Sequence, residues 1–368
     1  MPRFRPGRWR VAIATLLGSA AAILAAAAHE KPAEAALSAE AADALGVITP
    51  VPSTLGADPD RAAIGRLLFG DTRLSRGGDR ACITCHDIRA SGASAVPRNL
   101  TADGTPVPRN TPTAFNAALS FRLGWAGDIP SLPEQAELAL TRPEFLGGAW
   151  PRILDTVRGD PVLAPMFLAA YGRAADREAV IDAINSFERT LLTPDSRFDL
   201  WLRGDARAIT DAEHAGYDLF RRIGCASCHQ GVNVGGNLFE KVGIFVTIPN
   251  KVAEVLRVPS LRNVAVTAPY FDDGGIATLP EAVRLMARAQ LGRELTPAQV
   301  DAIVAFLGTL TGTFEGRPLT APAAPLSAPL SAPAAAADTT PDTTPDTTPD
   351  TTPDTTPDAG PRDGAPRP

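Results

Sequence analysis

The chain has 368 residues, a formal net charge of −6, four cysteines, four histidines and 35 prolines. That balance excludes a nucleic-acid binder working through net positive charge, and four cysteines are too few for a disulfide-dense mini-domain. A single apolar run, Val11–Ala28, approaches membrane-spanning length, which excludes a polytopic membrane protein. Arg3, Arg5, Arg8 and Arg10 precede this run, and alanines close it before His29. Basic, apolar and small-residue stretches in that order predict a signal peptide over residues 1–28 and export to the periplasm. An uncleaved membrane anchor is the alternative. Further on, Asp58-Pro59 predicts a helix start running to Phe69. Val180, Ile184, Phe187 and Leu191 fall at helical spacing and predict a helix within 176–192. Thr210 with Glu213, and Thr296 with Gln299, read as capping boxes opening helices to about Arg222 and Leu310. No series of alternating strands appears, so the expected class is mainly α with long Gly/Pro-rich loops. Five consecutive T-T-P-D units occupy Thr339–Asp358, a composition with little to bury. A disordered tail is predicted over 317–368.

All four cysteines fall in two C-x-x-C-H motifs, Cys82-Ile-Thr-Cys85-His86 and Cys225-Ala-Ser-Cys228-His229. This is the attachment pattern of c-type haem: two thiols form thioethers with the haem vinyls, and the next histidine reaches the iron. A zinc site or a redox dithiol would not require histidine directly after each second cysteine. Two covalently bound haem c groups are therefore expected, with iron held by His86 and His229. Each motif follows a helix-plus-loop lead-in, "IGRLLFGDTRLS" before the first and "GYDLFRRIG" before the second. That predicts two cytochrome-c-like domains as an imperfect repeat, over residues 37–203 and 204–316.

What a haem does depends on whether its second axial position is filled. His29 sits at the signal junction, His214 lies in a capped helix, and Met166 belongs to the apolar segment "PMFLAAYG". Met286, within "LPEAVRLMARAQL", reads either as a core methionine or as the axial ligand of the second haem. By elimination it is the best candidate ligand. The first haem is then left without an obvious distal ligand, and its iron is expected to be open. One closed and one open haem suits an enzyme supplied with single electrons. A pure electron carrier would more naturally have both sites filled.

At these residues the chain resembles the bacterial dihaem cytochrome c peroxidases, a family that includes the tryptophan-modifying dihaem enzymes of quinone-cofactor maturation. The resemblance covers about Ala62–Gly312 and includes "PRNTPTAFNAA", "SFERTLLTPDSRFD", "GVNVGGNLFEKVGI", "VPSLRNVAVTAPYF" and "ATLPEAVRLMARAQLGRELT". It implies an N-terminal haem that meets hydrogen peroxide. It also implies a C-terminal His/Met haem that relays electrons from a small cytochrome c or a copper protein. Met286 falls where the family places that methionine, and Trp125, in "LGWAGD", matches the tryptophan between the haems. Asn110, Thr267 and Pro269 match positions that bind a calcium ion, a hard cation suited to amide and carbonyl oxygens. Gln135, in "LPEQAE", matches the glutamine of the peroxide pocket, and Glu144, in "RPEFLGG", matches its glutamate after a one-residue shift. Relatives are often homodimers.

Two departures from the family pattern stand out. Many relatives cap the first iron with a histidine at the position of Ala102 here, and many carry histidine where this chain has Asp272, in "PYFDDG". The resemblance thus implies a periplasmic peroxidase active without reductive activation. The rivals are a dihaem oxidase acting on a partner protein's tryptophan or tyrosine, and a non-enzymatic dihaem electron carrier. Methionine at 286, where the tryptophan-modifying enzymes have tyrosine, argues against the first rival. Gln135 argues against the second.

Overall fold

A computed structural model describes residues 48–248 and 254–322. The signal peptide expected over 1–28 and most of the tail expected over 317–368 lie outside the described residues. Within them the chain is mainly helical, in the order α1 (Pro59–Phe69), α2 (Cys82–Cys85), α3 (Leu132–Thr141), α4 (Trp150–Gly159), α5 (Leu163–Tyr171), α6 (Arg177–Glu188), α7 (Arg197–Leu202), α8 (Asp211–Arg222), α9 (Leu279–Leu291) and α10 (Pro297–Gly308). Strands are short antiparallel pairs: β1 (Phe239–Lys241) with β2 (Val255–Arg257), and β3 (Thr313–Phe314) with β4 (Arg317–Pro318).

The helix starts follow local chemistry. The Asp58 carboxylate accepts hydrogen bonds from the N–H groups of Asp60 and Arg61 and caps α1, with Pro59 in its first turn. Asp176 caps α6 through the N–H of Ala179. Thr210 and Glu213 form a reciprocal capping box on α8, as do Thr296 and Gln299 on α10. The expected helix through Leu192 ends at Glu188, and the one expected to reach Leu310 ends at Gly308.

Two helix crossings organise the molecule, and they are built alike. In the first, α1 meets α6 at Gly65, where a Cβ would sit 1.9 Å from the Ala183 carbonyl oxygen and 2.8 Å from Phe187 Cβ. In the second, α8 meets α10 at Gly216, where a Cβ would lie 2.0 Å from the Ala302 carbonyl oxygen and 3.1 Å from Phe306 Cβ. Only glycine allows backbones to approach this closely. In each crossing the first helix, α1 or α8, precedes a C-x-x-C-H motif and the second, α6 or α10, follows it, so the repeat expected from the motifs is a repeat of packing as well.

One core gathers Ile64, Leu68, Leu140, Phe167 and Ile184, with Met166 packed against it. The other gathers Tyr217, Phe220, Ile303, Phe306 and Leu307. Phe198 and Trp201 of α7 belong to this second core together with Ile48, although all three precede residue 204. Phe198 meets Trp201, Tyr217 and Phe306 with ring centroids 5.4, 4.9 and 5.1 Å away. The ordered chain also continues beyond the expected boundary at 316: Arg317–Pro318 pairs with Thr313–Phe314, and Leu319 is buried beside Phe115 and Phe187.

Candidate haem-binding site

A continuous cavity of about 1210 Å³ runs along both C-x-x-C-H motifs. It exceeds the roughly 300–1,000 Å³ usual for a single small-molecule pocket. Cys82, Cys85, His86, Trp125, Gln135, Glu144, Cys225, Cys228, His229 and Met286 all line it, as do Asn110, Thr267 and Pro269. Residues spread over two hundred positions of sequence thus face one space.

The two motifs fold alike. The backbone N–H of His86 donates to the Cys82 carbonyl at 2.9 Å, and that of His229 to the Cys225 carbonyl at 3.0 Å. Each imidazole then donates from Nδ1 to a loop carbonyl, His86 to Gly92 at 3.2 Å and His229 to Val234 at 3.3 Å. A carbonyl only accepts, so the proton sits on Nδ1 and Nε2 keeps its lone pair. Burial depresses both imidazoles, His229 to about 4, and keeps them neutral at pH 7. A neutral ring oriented by a hydrogen bond from Nδ1 to a carbonyl is the form in which histidine binds iron. Desolvation pushes the thiols the other way, Cys82 and Cys225 up to about 12. Protonated thiols do not suit a reactive dithiol. Among the described residues no three His, Cys, Asp or Glu side chains converge as a metal cluster, which disfavours a zinc reading of the motifs. These residues fit haem c.

Helix α9 presents Leu279, Ala282, Val283, Met286, Ala287 and Gln290 to the cavity, one face at helical spacing. Its ends are fixed by Thr278, which caps the N–H of Glu281, and by Gly292 in the left-handed conformation. Trp125 is anchored by its Nε1–H, which donates to the Asn110 carbonyl at 2.8 Å. Asn110 in turn donates from Nδ2 to the carbonyls of Val96 and Pro97 at 3.2 and 3.1 Å. Gln135 lies on α3, which Ser131 caps. Glu144 is exposed at the rim, in a turn held by Gly147 N–H donating to the Arg142 carbonyl at 2.9 Å.

Among the described residues left aside as ligands, neither His214 nor Met166 lines the cavity, and His29 lies outside the described residues. His214 meets Trp201 in a tilted contact with centroids 5.5 Å apart, and Ala102 is exposed in a turn where Thr101 Oγ1 donates to the Thr105 carbonyl at 2.9 Å. The second family departure has a structural partner. Asp272 accepts from Arg109 at 2.6 Å, and the same guanidinium reaches Glu254 at 2.6 Å.

Sequence reasoning missed Glu188. It lines the cavity, its Oε2 is buried without a hydrogen-bond partner, and burial pushes its carboxyl up to about 8. The available signal was positional: Glu188 falls four residues after Ile184 on the inward face of α6. The folded state holds this proton at pH 7, whereas the unfolded chain releases it above its ordinary value of 4.5. Stability is therefore complete below about pH 4.5, declines as pH rises toward 8, and levels off beyond. Glu188→Gln keeps the shape without the proton linkage. Denaturant melts should show it more stable than the parent by up to about 3 kcal/mol at pH 7, and little changed at pH 4.

Residues 59–207 match the family model for di-haem cytochrome c peroxidase, and 214–311 match that for cytochrome c. The chain is 38% identical over 285 residues to the cytochrome c peroxidase Ccp of Escherichia coli, covering 73% of this chain and 61% of that relative, so it spans less than two thirds of that protein. It is 36% identical over 283 residues to the cytochrome c551 peroxidase of Nitrosomonas europaea, covering 72% of this chain and 84% of the relative. The crystal structure of a MauG-like protein associated with microbial copper homeostasis superposes with a TM-score of 0.62 at 26% identity, covering 72% of this chain and 93% of that one. With both cytochrome-c-related domains matched in order, the chain belongs to the di-haem cytochrome c peroxidase family of oxidoreductases.

Proposed function

We propose that this protein is a periplasmic peroxidase that reduces hydrogen peroxide to two molecules of water, consuming two protons and two electrons from a small cytochrome c or copper protein. One observation carries the reading. The cavity wall offers His86, His229 and Met286 as its histidines and methionine, three strong ligands for the four axial positions of two haems. Haem c, which Cys82 and Cys85 and Cys225 and Cys228 would attach and His86 and His229 would hold, would supply one-electron redox chemistry. Met286 would hold the second haem together with His229, and a His/Met pair favours electron transfer. Glu144 takes a proton from one peroxide oxygen and returns it to the other as the O–O bond breaks, and Gln135 holds the peroxide by its amide. Trp125, fixed by Asn110, couples the two sites. The Asn110 amide oxygen and the carbonyl oxygens of Thr267 and Pro269 would suit a calcium ion, a hard cation that takes oxygen ligands.

Because Ala102 offers no ligand, the oxidised protein is expected to react with peroxide directly. Electron paramagnetic resonance of the haem-loaded protein tests this. The expected spectrum combines a high-spin haem, lost on adding peroxide, with a low-spin His/Met haem. Two six-coordinate low-spin haems that ignore peroxide until half-reduced would overturn the reading. The family's tryptophan-modifying members give one second reading, oxidation of a partner protein's tryptophan or tyrosine. Negligible turnover with reduced cytochrome, together with a reactive first haem, would select it.

A further inference from the structure

Arg257 is a buried cation that the reading above does not use. It ends β2, is 9% exposed, and lines the cavity. Its Nε donates to the Gly124 carbonyl at 3.1 Å, and its backbone N–H donates to the Trp125 carbonyl at 3.0 Å. Its Nη1 points toward Gly236, where a Cβ would lie 3.4 Å away. Gly236 follows closely on Val234, the residue whose carbonyl orients His229. Burial shifts its pKa downward, and among the described residues no carboxylate pairs with it.

The contrast with the neighbouring arginines is informative. Arg262 is buried on Asp199, and Arg109 is held by Asp272 and Glu254. A buried guanidinium without a counter-charge costs several kcal/mol, and such groups persist where an anion is supplied. Here the cavity's occupant must supply it. Haem is apolar except for its two propionate carboxylates, and a planar guanidinium suits a carboxylate in bidentate contact.

Building on the dihaem reading, we propose that Arg257 is the propionate receptor of the haem held by His229. It is a positioning residue with two consequences. It fixes the edge of that haem against the Gly124–Trp125 segment. Its positive charge on the cavity wall would also disfavour the ferric state of that haem and raise its potential.

The test uses haem-loaded Arg257→Gln and Arg257→Lys. Haem content is measured first, and two haems per chain in the parent protein are required by the dihaem reading itself. Optical redox titration then reads each haem's midpoint potential, and resonance Raman reads the propionate bending mode. Arg257→Gln should keep both haems, lower the potential of the His/Met haem and shift its propionate mode. Arg257→Lys should restore most of the potential but not the bidentate vibrational signature. Two haems with both readouts unchanged in Arg257→Gln would overturn the proposal while leaving the dihaem reading intact. Fewer than two haems in the parent would overturn both.

Discussion

Asp199→Ala is expected to lower folding stability by about 3–5 kcal/mol, read by denaturant unfolding of the haem-loaded protein. Asp199 and Arg262 are 0% and 1% exposed, and Arg262 Nη1 meets Asp199 Oδ1 at 2.8 Å. Each end of the pair is tied further. Asp199 accepts from the Val51 N–H at 3.2 Å and the Ser196 hydroxyl at 2.8 Å. Arg262 donates to the carbonyls of Val232 and Thr49, both at 2.9 Å. The pair therefore joins the first described residues, helix α7 and the loop that orients His229. Removing the carboxylate leaves a guanidinium with carbonyl partners and no counter-charge, the costly way to break a buried ion pair. Replacing both partners is different, because no charge is then stranded. Asp199→Leu with Arg262→Met should recover most of the loss. A single-variant effect under 1 kcal/mol would show that water reaches the pair and that it does not hold these segments together.

The helix crossings were legible in the sequence, though not as such. Gly65 and Phe69 stand four residues apart on α1, as do Gly216 and Phe220 on α8. Their partners repeat the same four-residue spacing, Ala183 with Phe187 and Ala302 with Phe306. Small residues where backbones touch, with rings one turn away, are a local signal once α1 is set beside α8 and α6 beside α10. The caps were legible for the same reason: Asp58, Asp176, Thr210 and Thr296 act within four residues of themselves.

What the sequence hid is non-local. Nothing near α7 reveals that Phe198 and Trp201 face Tyr217 rather than the preceding domain, because an amphipathic helix does not name the surface it covers. Asp272 looked like an unexplained departure until Arg109, 163 positions away, proved to be its partner. Glu188 and Arg257 escaped notice because a charged residue in an inward position reads as ordinary until the space it faces is known. The candidate site was legible in its residue types through the resemblance. Their convergence on one cavity depends on the helix packing and is a property of the fold.

Glu144→Gln is expected to lower peroxide turnover by about 10²–10⁴-fold, the usual range for losing a positioned proton-transfer group. The amide matches the carboxyl in size and hydrogen bonds to peroxide, but it cannot accept a proton from one oxygen and give it to the other. Absorption spectra, haem content and peroxide binding should therefore stay close to those of the parent, and the loss should appear in kcat. Folding should not be disturbed, because Glu144 is exposed and its turn is held by backbone bonds among Ala139, Arg142, Leu146 and Gly147. Glu144→Asp, which keeps the acid on a shorter arm, should retain part of the activity. The competing carboxyl is Glu188, which faces the same cavity from α6 and is protonated at neutral pH. The two assignments separate cleanly. Full turnover in Glu144→Gln, with a large loss in Glu188→Gln, would move the proton-transfer role to the buried residue. The reverse pattern would leave Glu188 as a group whose replacement changes stability and not turnover.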